Sequence, residues 1–488
     1  ALNRSLAGED QLILTSRSTE FAAAVHTVGD VLSSAVVLEP QPLDPTAAAD
    51  YLRRCLPPRP GPAWEQILTT LRSSAELCGP VAALAETAST ALGLWLLRAV
   101  YVTPRADPTP LLDPGQFPDT AALRTHLFDK LIPTLIDTRT PSDDPVDLFR
   151  PHHHHNPEQV RRWLGYLAHL GTKASAGDSA TGTRDFAWWR LAHDTHALRR
   201  STRVGVGLAA GLLGGLVMGL VIPDSTVRFW VGLGAGLVIW VLVARGAEQW
   251  PQESPGFADL RVRGRLGLLP RHVARNMTRL GFAGALITMM IGEPIRWFSA
   301  LGYPYWHWPG LGLMVVYVLL DGLWFGLIGG LVCGLVGGLV FGLIQWVETP
   351  AHTERRNTPM SSWHADRTLN TIRITVAGLG SGFAFMGFSI VMTWSEHVVS
   401  YVVMFLEPLL WGVVGGLAFA LAVGKHRAWL AYLVATYRLA RAGRLPRRLM
   451  PFLDDAHRLG LLRTVGPIYQ FRHAELQDHL AATYHQPG

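Results

Sequence analysis

The chain has 488 residues, of which 49% are hydrophobic and 16% charged, with a formal net charge of +6; its mean hydropathy is +0.20. That length allows roughly two to four domains, and the apolar excess argues against an ordinary soluble enzyme. Cys55, Cys78 and Cys333 show neither metal nor redox spacing, which excludes a disulfide framework and fits a reducing compartment.

Residues 1–200 read as a soluble sequence. The apolar run Leu12-Ile13-Leu14-Thr15 entering Ser16-Arg17 predicts a buried strand, followed by a helix near 19–27 and a second strand at 34–38. Asp44-Pro45 is an N-cap with proline at the first helical position, opening a helix to about Arg54. Further helices are expected around 63–74, 80–101, 119–137 and 156–170. The last begins Asn156-Pro157-Glu158 and carries Val160, Trp163, Leu164, Leu167 and Leu170 on one face, a core pattern. Four consecutive histidines, His152 to His155, sit in a Pro/Asp-rich loop. With no second cluster in sequence they read as a solvated tract, and no metal is assigned.

Residues 201–424 carry apolar runs at 204–222, 229–244, 280–301, 308–347, 374–394 and 398–424. A bilayer core needs about 20 apolar residues per helix, so about six spans are expected. Glycine recurs every fourth residue at Gly207, Gly211, Gly215 and Gly219, and again at Gly322, Gly326, Gly330, Gly334, Gly338 and Gly342. In water each would cost a helix about 1 kcal/mol relative to alanine. In lipid such stripes let two helix backbones approach closely, within one bundle or between subunits of a homo-oligomer. Asp321 and Glu407 are intramembrane acids, and Glu293 and Arg296 form an i,i+3 pair; such residues are candidates for transport chemistry. Asp321 also interrupts a run too long for one straight span and is expected to mark a helix break.

Arginines flank the spans at 190–203, 245–279, 355–373 and 425–448, which places these segments on the cytoplasmic side. Both soluble ends then share that side, and the span count is even.

In the C-terminal segment, Pro446 to Leu459 predicts a helix stopped by Gly460. A hairpin over 461–463 and 468–471 and a helix from about His473 to Ala482 complete a winged-helix-like order.

Two motifs carry a family resemblance. Leu12-Ile13-Leu14-Thr15-Ser16-Arg17 resembles the sensor-1 strand of NACHT-type NTPases of the STAND class. The proline-capped helix ending Tyr51-Leu52-Arg53-Arg54 and the block through Phe186-Ala187-Trp188-Trp189 are similar to the segments after that strand in bacterial members of actinobacterial type. Phe471, His473, Gln477, Asp478, Ala481 and Ala482 match F-x-H-x-x-x-Q-[DE]-x-x-A-A, the signature that closes the family's winged-helix domain. The resemblance implies that Arg17 reads the γ-phosphate and that His473 touches the phosphate of bound ADP in the inactive state. It implies ATP or ADP with Mg in the full-length protein. The family's phosphate loop, G-x-x-x-x-G-K-[ST], does not occur here. The chain is therefore expected to be the C-terminal portion of a longer protein, to bind no nucleotide and to have no catalytic activity alone.

The expected fold class is mainly α: a polytopic membrane helix bundle flanked by the tail of a parallel α/β NTPase domain and by a winged-helix-like module. The domains are 1–105, the NTPase remainder and the start of a helical domain; 106–200, the helical domain; 201–424, the transmembrane region; and 425–488, the winged-helix-like domain. The expected partners are membrane lipid, the missing N-terminal NTPase segment and, on activation, a second copy. The location is the bacterial plasma membrane. A transporter or channel with regulatory domains is one alternative; a membrane-tethered DNA-binding regulator is another. Nucleic acid is not expected as a partner, because most C-terminal arginines come just after the last span, where positive-inside bias explains them.

Overall fold

The computed structural model describes residues 18–29, 36, 38–73, 79–144, 146–177, 184–221, 225–256, 267–287, 289, 311–348, 358–393, 405–422 and 425–485. These are mainly helical, with seventeen helices and one small sheet. The chain divides into two compact units, 1–127 and 128–488.

The first unit contains α1 (Ser18–Val28), α2 (Pro45–Cys55), α3 (Pro62–Arg72), α4 (Gly79–Ala88) and α5 (Ala91–Leu97). Asp44 caps α2 as expected, accepting from the Thr46 amide at 3.1 Å. Its core joins Leu52, Trp64, Leu68, Leu84 and Leu97, all buried. The single helix expected over 80–101 is instead two pieces bent by 112°. Ser89-Thr90 breaks it, because the Thr90 hydroxyl accepts the Gly93 amide at 3.0 Å and starts α5 afresh. The strand at 12–15 lies outside the described residues; of the one at 34–38 only 36 and 38 are described, and neither is in a strand.

Next come α6 (Thr120–Thr138), α7 (Pro157–Gly177), β1 (Asp185–Phe186) and α8 (Leu191–Asp194). Six long helices are next in the chain: α9 (Arg200–Val221), α10 (Ser225–Gly246), α11 (Leu268–Ile287), α12 (Leu311–Glu348), α13 (Pro359–Thr393) and α14 (Glu407–Ala422). The chain ends with α15 (Ala428–Arg441), α16 (Leu449–Arg458), β2 (Leu462–Val465), β3 (Ile468–Phe471) and α17 (Ala474–Thr483).

The long helices pair as three antiparallel hairpins, α9 with α10, α11 with α12 and α13 with α14. Glycine decides each pairing. A Cβ at Gly207 would lie 2.7 Å from the Trp240 carbonyl oxygen, and those at Gly211 and Gly215 would overlap the carbonyls of Gly236 and Gly232. Gly219 lies across from Gly232. In α12, Gly330 and Gly334 meet Gly281, Gly326 meets Ala285, Gly338 meets Met277 and Gly342 meets Val273; Gly322 is buried in the same helix. The chain itself thus covers the faces of both glycine stripes, and backbone contact replaces side-chain interdigitation. Leucine points the other way: Leu212, Leu213 and Leu331 are 66%, 66% and 68% exposed. So large an apolar exterior suits lipid rather than water.

Among the described residues three helices, Arg200–Leu220, Phe229–Gln252 and Gly322–Glu348, are long and apolar enough to cross a membrane. Helix α12 is unbroken over 38 residues, so Asp321 interrupts nothing. A helix closes its backbone hydrogen bonds internally, and one carboxylate side chain does not disturb them. At about 1.5 Å per residue α12 is far longer than a bilayer core is thick.

A polar hub ties the hairpins together at one end. Asp366, fully buried in the first turns of α13, accepts the amides of Gly256 and Trp429 at 2.6 and 2.8 Å. Asn370 donates to the His426 carbonyl at 2.7 Å. Arg373 pairs with Glu348 and donates to the Lys425 carbonyl. Arg427, 1% exposed, pairs with Glu253 at 2.7 Å. Burial pushes the Asp366 carboxyl up to about 7, against the two amides, which favour its charged form. A folded-state value raised above 3.8 means that stability from this group is full below about pH 4 and is lost as pH rises through 7. Asp366→Asn is expected to flatten the thermal stability of the detergent-solubilised protein between pH 5 and 8. It should also lower stability at pH 5 by about 1–3 kcal/mol, since its NH2 group faces a backbone N–H. A pH profile unchanged from wild type would refute this assignment.

Candidate functional site

On either side of the apolar block, residues 128–200 and 425–485 pack into one body. Asn156 caps α7, accepting the Glu158 and Gln159 amides at 2.9 and 3.3 Å. The apolar face of α7 lies against α17, and Gly165 makes room for Tyr484. Trp163 meets Phe452 of α16 edge-on at 5.1 Å. Asp129 of α6 is shared by Arg161 at 2.6 Å and His479 at 2.9 Å. Trp188, fully buried, donates its indole N–H to Ser362 at 2.9 Å and meets Tyr432 edge-on, so it pins together three segments.

The helix, hairpin, helix order of the C-terminal segment is present. Helix α16 buries Leu449, Phe452, Leu453 and Ala456. It ends in a Schellman arrangement, with Leu461 N–H donating to the Ala456 carbonyl at 3.0 Å and Gly460 at φ 78°. Strands β2 and β3 pair antiparallel around Gly466, and β1 adds to β3, giving the order β1-β3-β2. This third strand comes from the other side of the apolar block, and two residues are too short for periodicity to reveal it. Both strand pairings among the described residues are antiparallel, and the strand expected at 12–15 lies outside them.

His473 occupies the N-cap position of α17, where β3 hands over to the helix. Cationic groups gather around it. Arg472 precedes it, and Arg463 on β2 belongs to the same electrostatic neighbourhood. The Arg139 guanidinium donates to the carbonyls of Arg458 and Leu459 at 3.3 and 3.0 Å, a cation at the C-terminal end of α16. A Cβ at Gly460 would stand 3.5 Å from Nη1 of Arg472 and 3.8 Å from Nη1 of Arg139, so the two guanidinium groups converge there. Burial, then Arg472 and Arg463, holds the His473 imidazole below the usual histidine range. His457 is lowered by burial; Asp454 opposes this, while Arg458 and Arg472 add to it. Asp454 pairs with Arg458 at 3.0 Å. Such a gathering of like charges is suited to an anion with several oxygens, each accepting a charge-assisted hydrogen bond.

Of the predicted site residues, His473 sits in this cluster, and Arg17 lies outside the described residues. Glu407 opens α14, where a carboxylate favours the helix N-terminus. Asp321 lies within α12 with its side chain outside the described part. Glu293 and Arg296 are also outside it. Arg139 and Asp455 were not singled out from the sequence. An acid three residues after Phe452, on the apolar face of α16, was the available signal for Asp455; nothing local marks Arg139.

The histidine tract is solvated at His153 and His154, as expected, but it is anchored on a buried acid. Asp455, 1% exposed, accepts the His152 amide at 2.7 Å through Oδ1. Its Oδ2 meets His153 Nδ1 at 3.0 Å and His155 Nε2 at 2.7 Å. Tertiary packing supplies the second cluster that the linear sequence lacks, bringing one ligand atom each of His153, His155 and Asp455 within 4.8 Å of one another.

Compared with protein-family models, with curated proteins and with solved structures, the chain gives no match.

Proposed function

We propose that this chain is the membrane-embedded C-terminal portion of a NACHT-type nucleotide switch. The cationic cluster around His473 receives the phosphates of ADP or ATP held with Mg by the phosphate-loop domain of the same protein. Nucleotide exchange releases the C-terminal module, and the helix bundle acts as anchor or assembles with further copies. The bundle crosses the bacterial plasma membrane about six times, leaving both flanking segments in the cytoplasm.

The observation that carries this reading is the chain of cations next to the signature histidine: Arg472 and Arg463 act on His473, and Arg472 in turn meets Arg139 beside Gly460. Arg139 belongs to the segment before the apolar block and Arg472 to the segment after it, so an anion bound there joins the two. Supporting the membrane assignment are the exposed leucines of the bundle and its three apolar helices.

The test uses a polypeptide that carries both this chain and a phosphate-loop segment. His473→Ala and Arg472→Gln are expected to speed ADP release at least tenfold, given about 1.5–3 kcal/mol for a hydrogen bond to a charged group. A protonated imidazole binds phosphate better and His473 is held below the usual value of 6.5, so affinity should rise as pH falls below about 6.5 and stay flat above it. Release from His473→Ala at the wild-type rate would remove the histidine from the site.

A further inference from the structure

We propose that His153, His155 and Asp455 form a divalent-metal site of the zinc class, clamping the loop before α7 to helix α16. The two imidazole nitrogens stand 3.0 and 2.7 Å from one carboxylate oxygen, and the three ligand atoms lie within 4.8 Å of one another. Zinc holds such nitrogens and oxygens at roughly 2.0–2.2 Å, so small side-chain rotations suffice to seat an ion among them. The set is two nitrogens and one oxygen, which suits zinc and not calcium or magnesium, whose ligands are oxygens.

Burial supports the assignment. Asp455 is 1% and His155 15% exposed, while His153 is 55% exposed and leaves a side open for a water as fourth ligand. A carboxylate so removed from water needs a compensating charge. With both imidazoles in their metal-binding neutral form, the set carries one negative charge, which a divalent ion reverses. Neighbouring groups orient the ligands as outer contacts do in metal centres. The His152 amide holds the other carboxylate oxygen, and Phe452 packs edge-on against the His155 ring at 5.6 Å. Because the loop and α16 lie on opposite sides of the apolar block in sequence, the ion ties together the two flanking segments independently of nucleotide.

The full chain, purified in detergent without an added histidine tag and stripped with chelator, is titrated with Zn(II) and Co(II). One equivalent should bind per chain, Co(II) should give the visible bands of a four-coordinate nitrogen–oxygen site, and zinc should raise the unfolding temperature. Asp455→Asn preserves shape but removes the anionic ligand, and should weaken binding by at least roughly 10–100-fold. His153→Gln, at a half-exposed position, should do the same, while His154→Ala at the exposed neighbour should not. Absence of stoichiometric binding to the wild type would overturn the proposal. So would equal binding by the wild type, Asp455→Asn and His153→Gln, which would mean that the histidine tract chelates as a flexible tail.

Discussion

Arg427→Ala is expected to destabilise the protein by about 3–5 kcal/mol, the cost of leaving one partner of a buried ion pair without the other. The side chain is 1% exposed and engages all three of its guanidinium nitrogens. Its Nε and Nη2 reach Glu253 at 3.2 and 2.7 Å, and its Nη1 reaches the carbonyls of Leu421 and Ala422 at 3.1 and 2.8 Å. Those carbonyls belong to the last turn of α14 and have no partner inside the helix. Truncation therefore leaves the Glu253 carboxylate without its countercharge, keeping only the residue 427 amide, and uncaps a helix together. Arg427→Lys should recover only part of the loss, because a single ammonium cannot serve Glu253 and two carbonyls from a planar fork. Thermal unfolding in mild detergent at neutral pH, followed by far-ultraviolet circular dichroism, measures both variants. In an Arg427→Ala background, Glu253→Gln should cost less than it does in the wild type, the sign of direct coupling. A loss below about 1 kcal/mol for Arg427→Ala would mean that water reaches the hub and screens the pair.

The second large effect concerns two glycines in the same helix. Gly236→Leu is expected to destabilise the α9/α10 hairpin by at least the 1–3 kcal/mol typical of overpacking, whereas Gly234→Leu should be close to neutral. A Cβ at Gly236 would stand 2.8 Å from the Gly211 carbonyl oxygen, in contact with the backbone of a helix that cannot rotate away. A Cβ at Gly234 meets nothing within 4 Å. Leucine at 234 adds one more apolar side chain to a surface already covered with them. Comparison of the two unfolding temperatures, each against wild type, reads the difference directly. Equal losses would indicate that the close backbone contact at Gly236 is not what distinguishes the two positions, since helix propensity alone favours leucine at both.

Much of the architecture comes from local chemistry and was readable in the chain. Apolar runs with glycine at every fourth residue specify helices whose backbones must touch, because no side chain stands between them. Asp44-Pro45, Asn156-Pro157 and Gly460 set helix ends through capping and φ preference, which act within a few residues. Helix, hairpin and helix at the C-terminus were legible for the same reason. Asp321 misled because an acid in an apolar run signals a break only if the backbone is disturbed, and a helix satisfies its backbone regardless of the side chain.

What only tertiary structure decided is which distant groups meet. Glu253 with Arg427, Asp366 with the amides of Gly256 and Trp429, Arg139 over the end of α16, and Asp455 among the histidines all join segments far apart in the chain. Each is a charge removed from water, and its cost is offset only by a partner that the fold delivers. The sequence by itself determined a helical, apolar bundle between two polar segments. The packing of those segments against each other decided where the charges gather, because electrostatic pairing depends on distance in space and carries no periodicity along the chain.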